Sequence, residues 1–356
     1  MIQKINVEEF LLLGTNQPVL DVRSPSEFKH ASIPGAYSLP LFTDEERKLV
    51  GTAYKQESRE KAIRIGLDFF GLKMRKMVEE VDSLLPADGS KRVLIHCWRG
   101  GMRSAAIAWL LDTYGYKVHT LHGGYKAFRN WVLKQFAIKY DLKILGGYTG
   151  SGKTILLKKM EELGLKIIDL EGIANHKGSA FGAIGGNEQP TQEMFENLLA
   201  TDLFRKLSVE STDKGKDVLE RFWIEDESQR IGRVIIPKSF YEQMRASEIY
   251  FLEIPFEKRL EYLVETYGKF DKEKLVNAIM RIQKRLGGLE TKTAINFLLE
   301  NDITGCFSIL LKYYDKLYHK GLQNRINYEE LLNIIPCNNV NSEVNVKKIT
   351  SGSLIL

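Results

Sequence analysis

Lys143-Ile144-Leu145-Gly146-Gly147-Tyr148-Thr149-Gly150-Ser151-Gly152-Lys153-Thr154 joins a short apolar run to an amphipathic helix through a glycine-rich turn, and that succession decides the fold. Lys143 to Gly146 has strand character. From Thr154 to Leu163 the apolar residues Leu156, Met160 and Leu163 fall on one helical face, and Gly164 is placed to cap the helix. The turn between them, Gly147-x4-Gly152-Lys153-Thr154, has the spacing of a phosphate-binding loop. Glycines let backbone N–H groups approach phosphate oxygens, Lys153 reaches the terminal phosphates, and Thr154 offers a hydroxyl to Mg²⁺. Gly147, Gly150, Ser151, Gly152, Lys153 and Thr154 are therefore the candidate diphosphate-binding residues. A chance match in a glycine-rich turn is the plain alternative, and the flanking strand and helix weigh against it. The loop calls for a polyphosphate; it specifies neither ATP nor hydrolysis.

Downstream, Leu165 to Leu170, Asp217 to Glu225 and Glu248 to Glu253 read as further strands, and from about Phe256 the pattern turns helical. Asp169 and Glu225-Asp226-Glu227 end two of these strands. Each is either an acidic partner for Mg²⁺ or a solvated turn. No set of metal ligands is assigned. Phe256-Glu257-Lys258-Arg259, Arg281-Ile282-Gln283-Lys284-Arg285 and the stretch from Lys312 to Lys320, which interleaves tyrosines with lysines, admit two readings. They are nucleic-acid contacts, or amphipathic helices with buried tyrosines and a solvated cationic face. The last residues, 336–356, are rich in Asn, Ser and Val and read as a loosely ordered tail.

Upstream, Pro18 to Arg23, Arg92 to His96 and Lys117 to Leu121 read as strands separated by helical patterns, which implies a parallel sheet flanked by helices. The second of these runs into His96-Cys97-Trp98-Arg99-Gly100-Gly101-Met102-Arg103-Ser104. A strand, a cysteine, a glycine-containing loop and a helix make an anion cradle. Backbone N–H groups from Trp98 to Arg103 converge on one centre, and the helix start adds its positive end. Such a site lowers a thiol pKa and readies a thiolate for attack. Cys97 is the candidate catalytic residue, and Trp98, Arg99, Gly100, Gly101 and Arg103 form the candidate anion loop. A buried structural cysteine is the alternative. His96, His119 and His122 lie near sheet ends without the spacing of a metal site. The chain thus reads as α/β throughout: a parallel-sheet domain at 1–135, a phosphate-loop domain with a helical C-terminal part at 140–335, and a tail at 336–356.

With 356 residues, 44% hydrophobic and 27% charged, the composition is that of an ordinary globular protein with two cores. A formal charge of +5 permits a nucleic-acid partner without requiring one. The three cysteines form no CxxC pair, so neither a zinc site nor a disulfide framework is indicated. No apolar stretch approaches the ~18 residues of a membrane span, and the first ten residues lack a secretory pattern. A reducing cytoplasm and no membrane partner are expected.

Leu20-Asp21-Val22-Arg23-Ser24-Pro25-Ser26-Glu27-Phe28, His30, Ile33-Pro34-Gly35-Ala36, the Cys97 loop and Leu121-His122-Gly123-Gly124 together resemble a rhodanese domain, in which the cysteine carries a persulfide sulfur. The loop departs from that pattern. Arg103 stands six residues after Cys97, where sulfur-transferring rhodaneses have five; His-Cys-x5-Arg-Ser is the spacing of cysteine phosphatases. A longer loop makes a wider cradle, suited to a phosphate-sized anion. A rhodanese domain with this loop, followed by Gly-Gly-Tyr-Thr-Gly-Ser-Gly-Lys-Thr, resembles the tRNA 2-selenouridine synthase family. So do Gly51 to Gln56, Leu170 to Ser179, Trp223 to Ser228 and Arg285 to Gly288. The resemblance spans nearly the whole chain and weakens after about residue 335.

This resemblance implies replacement of sulfur by selenium in wobble 2-thiouridine of tRNA, with selenophosphate as selenium donor and geranyl diphosphate alkylating the sulfur first. It implies no tightly bound cofactor, leaves Mg²⁺ open, and makes tRNA the macromolecular substrate and selenophosphate synthetase a conceivable partner. Two rivals stand beside it. One is a cysteine phosphatase fused to a kinase-like domain; the other is a non-catalytic tRNA-binding protein.

Overall fold

The structure, a computed structural model, describes residues 2–86, 89–176, 188–208 and 221–353. Asp217 to Glu220 of an expected strand, and Lys177 to Ser179 of one quoted motif, lie outside the described residues. The chain divides into two compact units, Met1–Gln135 with Glu193–Arg205, and Phe136–Gln192 with Lys206–Leu356. Among the described residues, no helix is long and apolar enough to cross a membrane.

The first unit runs β1 (Ile2–Ile5), α1 (Val7–Leu13), β2 (Val19–Asp21), α2 (Pro25–His30), β3 (Tyr37–Ser38), α3 (Asp44–Gln56), α4 (Arg59–Asp82), β4 (Arg92–His96), α5 (Met102–Thr113), β5 (Lys117–Leu121) and α6 (Gly124–Gln135). Its five strands are all parallel, in the order β1-β5-β4-β2-β3. The central strand β4 is apolar because both its faces are covered. Val93, Leu94 and Ile95 are fully buried, Val93 and Ile95 in a core with Leu20, Ile107, Leu111 and Val118. The chain passes from β3 to β4 through the α3–α4 helical hairpin. Thr43 caps α3 with a capping box to Glu46, and Ser58 caps α4. Gly51 to Gln56, one of the stretches that carry the resemblance, lies in α3.

The second unit runs β6 (Asp141–Gly147), α7 (Lys153–Glu162), β7 (Lys166–Ile168) and α8 (Leu170–Ile173); after α9 (Gln192–Ser208), whose residues Glu193–Arg205 belong to the first unit, it continues with β8 (Arg221–Glu225), β9 (Arg230–Ile231), β10 (Val234–Ile235), α10 (Lys238–Ala246), β11 (Ile249–Glu253), α11 (Phe256–Tyr267), α12 (Lys272–Leu286), α13 (Gly288–Leu299), α14 (Ile303–Gln323), α15 (Tyr328–Leu331), β12 (Leu332–Pro336) and α16 (Ser342–Ser353). Its main sheet is also parallel, in the order β12-β11-β6-β8-β7. β6 stands between β11 and β8, so the chain leaves its C-terminal end at a topological switch point, where open α/β sheets bind ligands. Helices α11 to α14 form a separate apolar cluster that includes Leu263, Ile279, Leu298 and Phe307.

Two segments depart from the sequence expectation. The stretch read as a loose tail contains α16, which packs on α7. Val346 and Ile349, three apart, are buried with Leu156, Leu157 and Met160, and Lys159 pairs with Glu343 at 2.6 Å. The stretch Glu193–Arg205, inside the range read as the second domain, belongs to the first compact unit. There Asn197 donates to the Ser32 carbonyl at 2.9 Å and to the Tyr125 hydroxyl at 2.8 Å, and Arg129 pairs with Glu196 at 2.6 Å.

Candidate functional site

The cysteine loop follows β4 directly. Its outward carbonyls are taken by the start of α6: Tyr125 N–H donates to the Cys97 carbonyl at 2.8 Å, and Lys126 N–H to that of Trp98 at 2.9 Å. With the carbonyls drawn outward, N–H groups turn toward the sulfur. A Cβ on Gly124 would stand 2.4 Å from the Cys97 carbonyl oxygen, so only glycine allows this approach.

Cys97 is 3% exposed. Gly101 N–H donates to its Sγ at 3.4 Å, and the Ser104 hydroxyl lies 3.2 Å from it. Burial by itself raises the thiol pKa. The hydrogen bonds of the Ser104 hydroxyl and of the backbone at Ser104, Arg99 and Gly101 outweigh it, and the pKa falls below the ordinary thiol value. Cys306 and Cys337, the other two cysteines, are also buried, and burial pushes both of their thiols up.

The cationic side of the cradle has a partner that sequence reasoning left without a role. Arg103 donates to Glu27 Oε2 at 2.7 Å, and Arg47 reaches the same oxygen at 2.9 Å. Burial raises the Glu27 pKa, but Arg103, the Ser24 N–H and Arg47 lower it further, to about 2. Arg103 is thus held at the rim of the loop by one carboxylate, with further guanidinium donors left for an anion. Arg99 is exposed. Trp98, 38% exposed, packs against Tyr125 with ring centres 5.7 Å apart and planes tilted by 35°. Behind the loop, Asp21 binds Arg23, whose guanidinium lies 3.7 Å from the centre of the Tyr125 ring. His96 is fully buried, its Nε2 3.6 Å from Asp21 Oδ2, with no well-formed hydrogen bond to either ring nitrogen among the described residues, and burial lowers its pKa.

The phosphate loop occupies the turn between β6 and α7. Gly152, at φ 72°, initiates α7 in a left-handed conformation. Lys153 Nζ donates to the Gly147 carbonyl at 2.8 Å and stands 5.7 Å from the Tyr318 ring centre. Gly147 N–H donates to the Tyr318 hydroxyl at 3.1 Å. That hydroxyl donates to Asp226 at 2.6 Å, and Asp226 also pairs with Arg325. Ser151 Oγ is buried without a hydrogen-bond partner among the described residues. Thr154 donates to Glu171 at 3.1 Å.

Three carboxylates converge beside Thr154. Glu171, Glu225 and Glu227 offer oxygens within 4.8 Å of one another. Glu225 is 1% exposed, and neither of its oxygens receives a well-formed hydrogen bond among the described residues. Burial, then the charges of Glu171, Glu227 and Asp169, drive its pKa well above the ordinary value, and burial and Glu171 do the same to Glu227. An oxygen-rich, uncompensated cluster next to a phosphate-loop threonine suits a hard divalent cation. Of the acidic candidates in the sequence, Asp169 instead caps α8 through the Gly172 N–H at 2.7 Å, and Asp226 serves Tyr318 and Arg325. Glu171 carried no signal beyond its place in a quoted motif.

The basic and aromatic clusters divide. Arg259 is buried, pairs with Asp315 through two bonds of 2.8 Å and donates to the Thr149 carbonyl at 3.1 Å; it braces the phosphate loop from within. Tyr313 and Tyr314 pack on the helical core, and Tyr318 supports Gly147. For these residues the amphipathic-helix reading holds. Arg281, Lys284 and Arg285 are exposed.

The family model for the tRNA 2-selenouridine synthase AAA domain matches residues 140–329, and the rhodanese-like domain model matches residues 7–130. The chain belongs to the tRNA 2-selenouridine synthase family. The tRNA 2-selenouridine synthase of Sulfurovum sp. (strain NBC37-1) is 37% identical over 337 residues, 85% of this chain and 88% of that protein. That of Bdellovibrio bacteriovorus is 33% identical, covering 88% and 91%, and that of Shewanella woodyi 34% identical, covering 91% and 93%. In this member of the tRNA 2-selenouridine synthase family, both anion loops sit inside the matched ranges, and so do Glu27, Glu171, Glu225 and Glu227.

Proposed function

We propose that this chain converts 2-thiouridine of tRNA into 2-selenouridine in two steps. In the first, the thiocarbonyl sulfur attacks C1 of geranyl diphosphate. The C1–O bond breaks, pyrophosphate leaves with the electron pair, and the base loses its N3 proton. In the second, selenium from selenophosphate adds at C2 and geranyl thiol departs; water takes up the phosphoryl group as phosphate. The detour has a chemical reason: a thiocarbonyl sulfur is a poor leaving group, and a thioether is a better one.

In this reading Lys153 and the N–H groups of the phosphate loop carry the charge that builds on departing pyrophosphate. Glu171, Glu225, Glu227 and Thr154 would hold a Mg²⁺ ion, which when bound supplies charge neutralisation to the diphosphate. Cys97 receives or positions the selenium, the N–H groups of residues 98–103 hold the phosphoryl oxygens, and Arg103 adds its charge. Selenophosphate synthetase is the supplying partner, and the cytoplasm the place of action. The observation that carries the reading is the presence, in one chain of this family, of a hydrogen-bonded thiol cradle and a separate phosphate loop.

The experiment is mass analysis of nucleosides from 2-thiouridine tRNA incubated with the protein, geranyl diphosphate and selenophosphate. S-geranyl-2-thiouridine followed by 2-selenouridine is the expected result. Turnover of phosphoesters and ATP with no change in the tRNA would bring forward the phosphatase–kinase rival.

A further inference from the structure

The α3–α4 hairpin of the first unit stands outside both loops, and its surface composition is unusual. Between Arg47 and Lys76 the chain carries nine Lys and Arg against three acids, Glu57, Glu60 and Asp68. Four of the nine are matched: Arg47 to Glu27, Lys61 to Glu57, Lys73 to Glu46 and Arg75 to Glu79. Lys48, Lys55, Arg59, Arg64 and Lys76 are exposed and pair with no carboxylate among the described residues. Lys48 and Lys55 are two helical turns apart on one side of α3, ~10 Å along its axis. Large apolar side chains stand among these cations, with Leu49 57%, Tyr54 54% and Leu67 56% exposed.

A lysine-rich helix face is ordinarily solvated. This one differs in where it is rooted. Arg47, at the base of the hairpin, shares Glu27 with Arg103 of the cysteine loop. Ser26, one residue before Glu27, donates through its hydroxyl to Asp44 in the first turn of α3. The uncompensated charge therefore begins one carboxylate away from the loop where the base must react. A polyanion seated on the hairpin neutralises those cations, and the exposed tyrosine and leucines meet sugar and base faces.

We infer that the α3–α4 hairpin is a docking surface for tRNA, with Lys48, Lys55, Arg59, Arg64 and Lys76 on backbone phosphates and Tyr54 against sugar or base, beside the Cys97 loop. The inference rests on the proposed tRNA substrate. Its contacts with phosphate specify no sequence; they bring the tRNA to the cysteine loop.

The test compares tRNA binding by the full chain and by a Lys48→Gln, Lys55→Gln, Arg59→Gln, Arg64→Gln variant across a salt series. All four positions are exposed, and the melting temperature and the alkylation rate of Cys97 monitor the fold and the loop. The expected result is at least a tenfold loss of affinity near 100 mM salt and a salt slope shallower by about 3, close to one per phosphate contact removed. A Tyr54→Ala variant should lose several-fold in affinity with the slope unchanged, since stacking is not ionic. An Arg281→Gln, Lys284→Gln, Arg285→Gln variant on α12 is the reference for generic charge. Equal affinity and slope in the wild type and the hairpin variant overturn the docking surface while leaving the tRNA substrate intact. An equal loss in the α12 reference overturns it as well, because binding would then track net charge rather than this face. A wild-type chain that binds no tRNA overturns the substrate reading itself.

Discussion

The cysteine loop and the phosphate loop use one architectural device to opposite electrostatic ends. Each follows a central parallel strand, turns through glycines and opens a helix, whose N-terminus is the end that favours an anion. In the first, the thiol and the arginine of the helix start already have counterparts: the thiol receives Gly101 N–H and lies within reach of the Ser104 hydroxyl, and Arg103 has Glu27. Acid pKa values there fall. In the second, Lys153 folds back onto a carbonyl, and three carboxylates crowd Thr154 with Glu225 buried and poorly satisfied. Acid pKa values there rise. The first cradle is already organised; the second carries acidic charge that the described residues leave poorly balanced. In the proposed reaction a nucleophile needs the former, because its protonation state must be set beforehand. A leaving-group site would tolerate the latter, because ligand and cation would bring the missing charge.

The comparison can be broken at its strongest point first. Cys97→Ala should reduce selenouridine formation to background while S-geranyl-2-thiouridine accumulates, as read by nucleoside mass analysis. Wild-type rates of selenouridine formation in that variant would remove Cys97 from the chemistry. Lys153→Ala should lower geranylation by about 10²–10³-fold, the usual cost of losing one preorganised charge on a leaving group. The same variant should still convert pre-geranylated tRNA with selenophosphate, and a strict ATP requirement in the wild type would argue against a diphosphate site.

The remaining two changes act on stability. Glu225→Gln removes one of three repelling carboxylates. Without metal it should raise the melting temperature by a few degrees, ~1 kcal/mol being about 2–4 °C for a domain of this size. It should also shrink the stabilisation that Mg²⁺ gives the wild type. A lower metal-free melting temperature would mean that Glu225 is satisfied as it stands.

Glu27→Gln should cost about 1–3 kcal/mol at pH 7. The folded pKa of Glu27 is about 2 against an ordinary 4.5, so between those values the unfolded chain binds the extra proton. The stabilisation is full above about pH 4.5 and is lost as pH falls toward 2. Denaturant titrations should therefore show the gap between wild type and variant closing over that window. A gap that is constant with pH would mean the loss is one of packing rather than charge.

What could be read without coordinates was whatever short-range chemistry dictates. The strands before both loops, the helices after them and the glycines between are separated by a few residues. Backbone propensity and side-chain periodicity act over that distance. Gly164 illustrates this: at φ 83° just past α7, it is the terminating glycine the pattern called for. Elements without local contrast went unread. β1 is mostly exposed, β3 is two residues long, and β12 is an edge strand that followed a helical run.

Partnerships across long separations belonged to the tertiary structure alone. Glu27 meets Arg103 across 76 residues, and Gly147 meets Tyr318 across 171. Neither separation leaves a periodic trace. Glu171 and Glu225 come together only because β6 separates β11 from β8, which sets the carboxyl end of β8 beside the phosphate loop. The sequence by itself located the two glycine-containing anion loops, because loop chemistry is local. The fold decided which carboxylates and tyrosines serve those loops and which cations remain free on the surface, because only the order of strands and the packing of helices bring distant charges within a few ångströms.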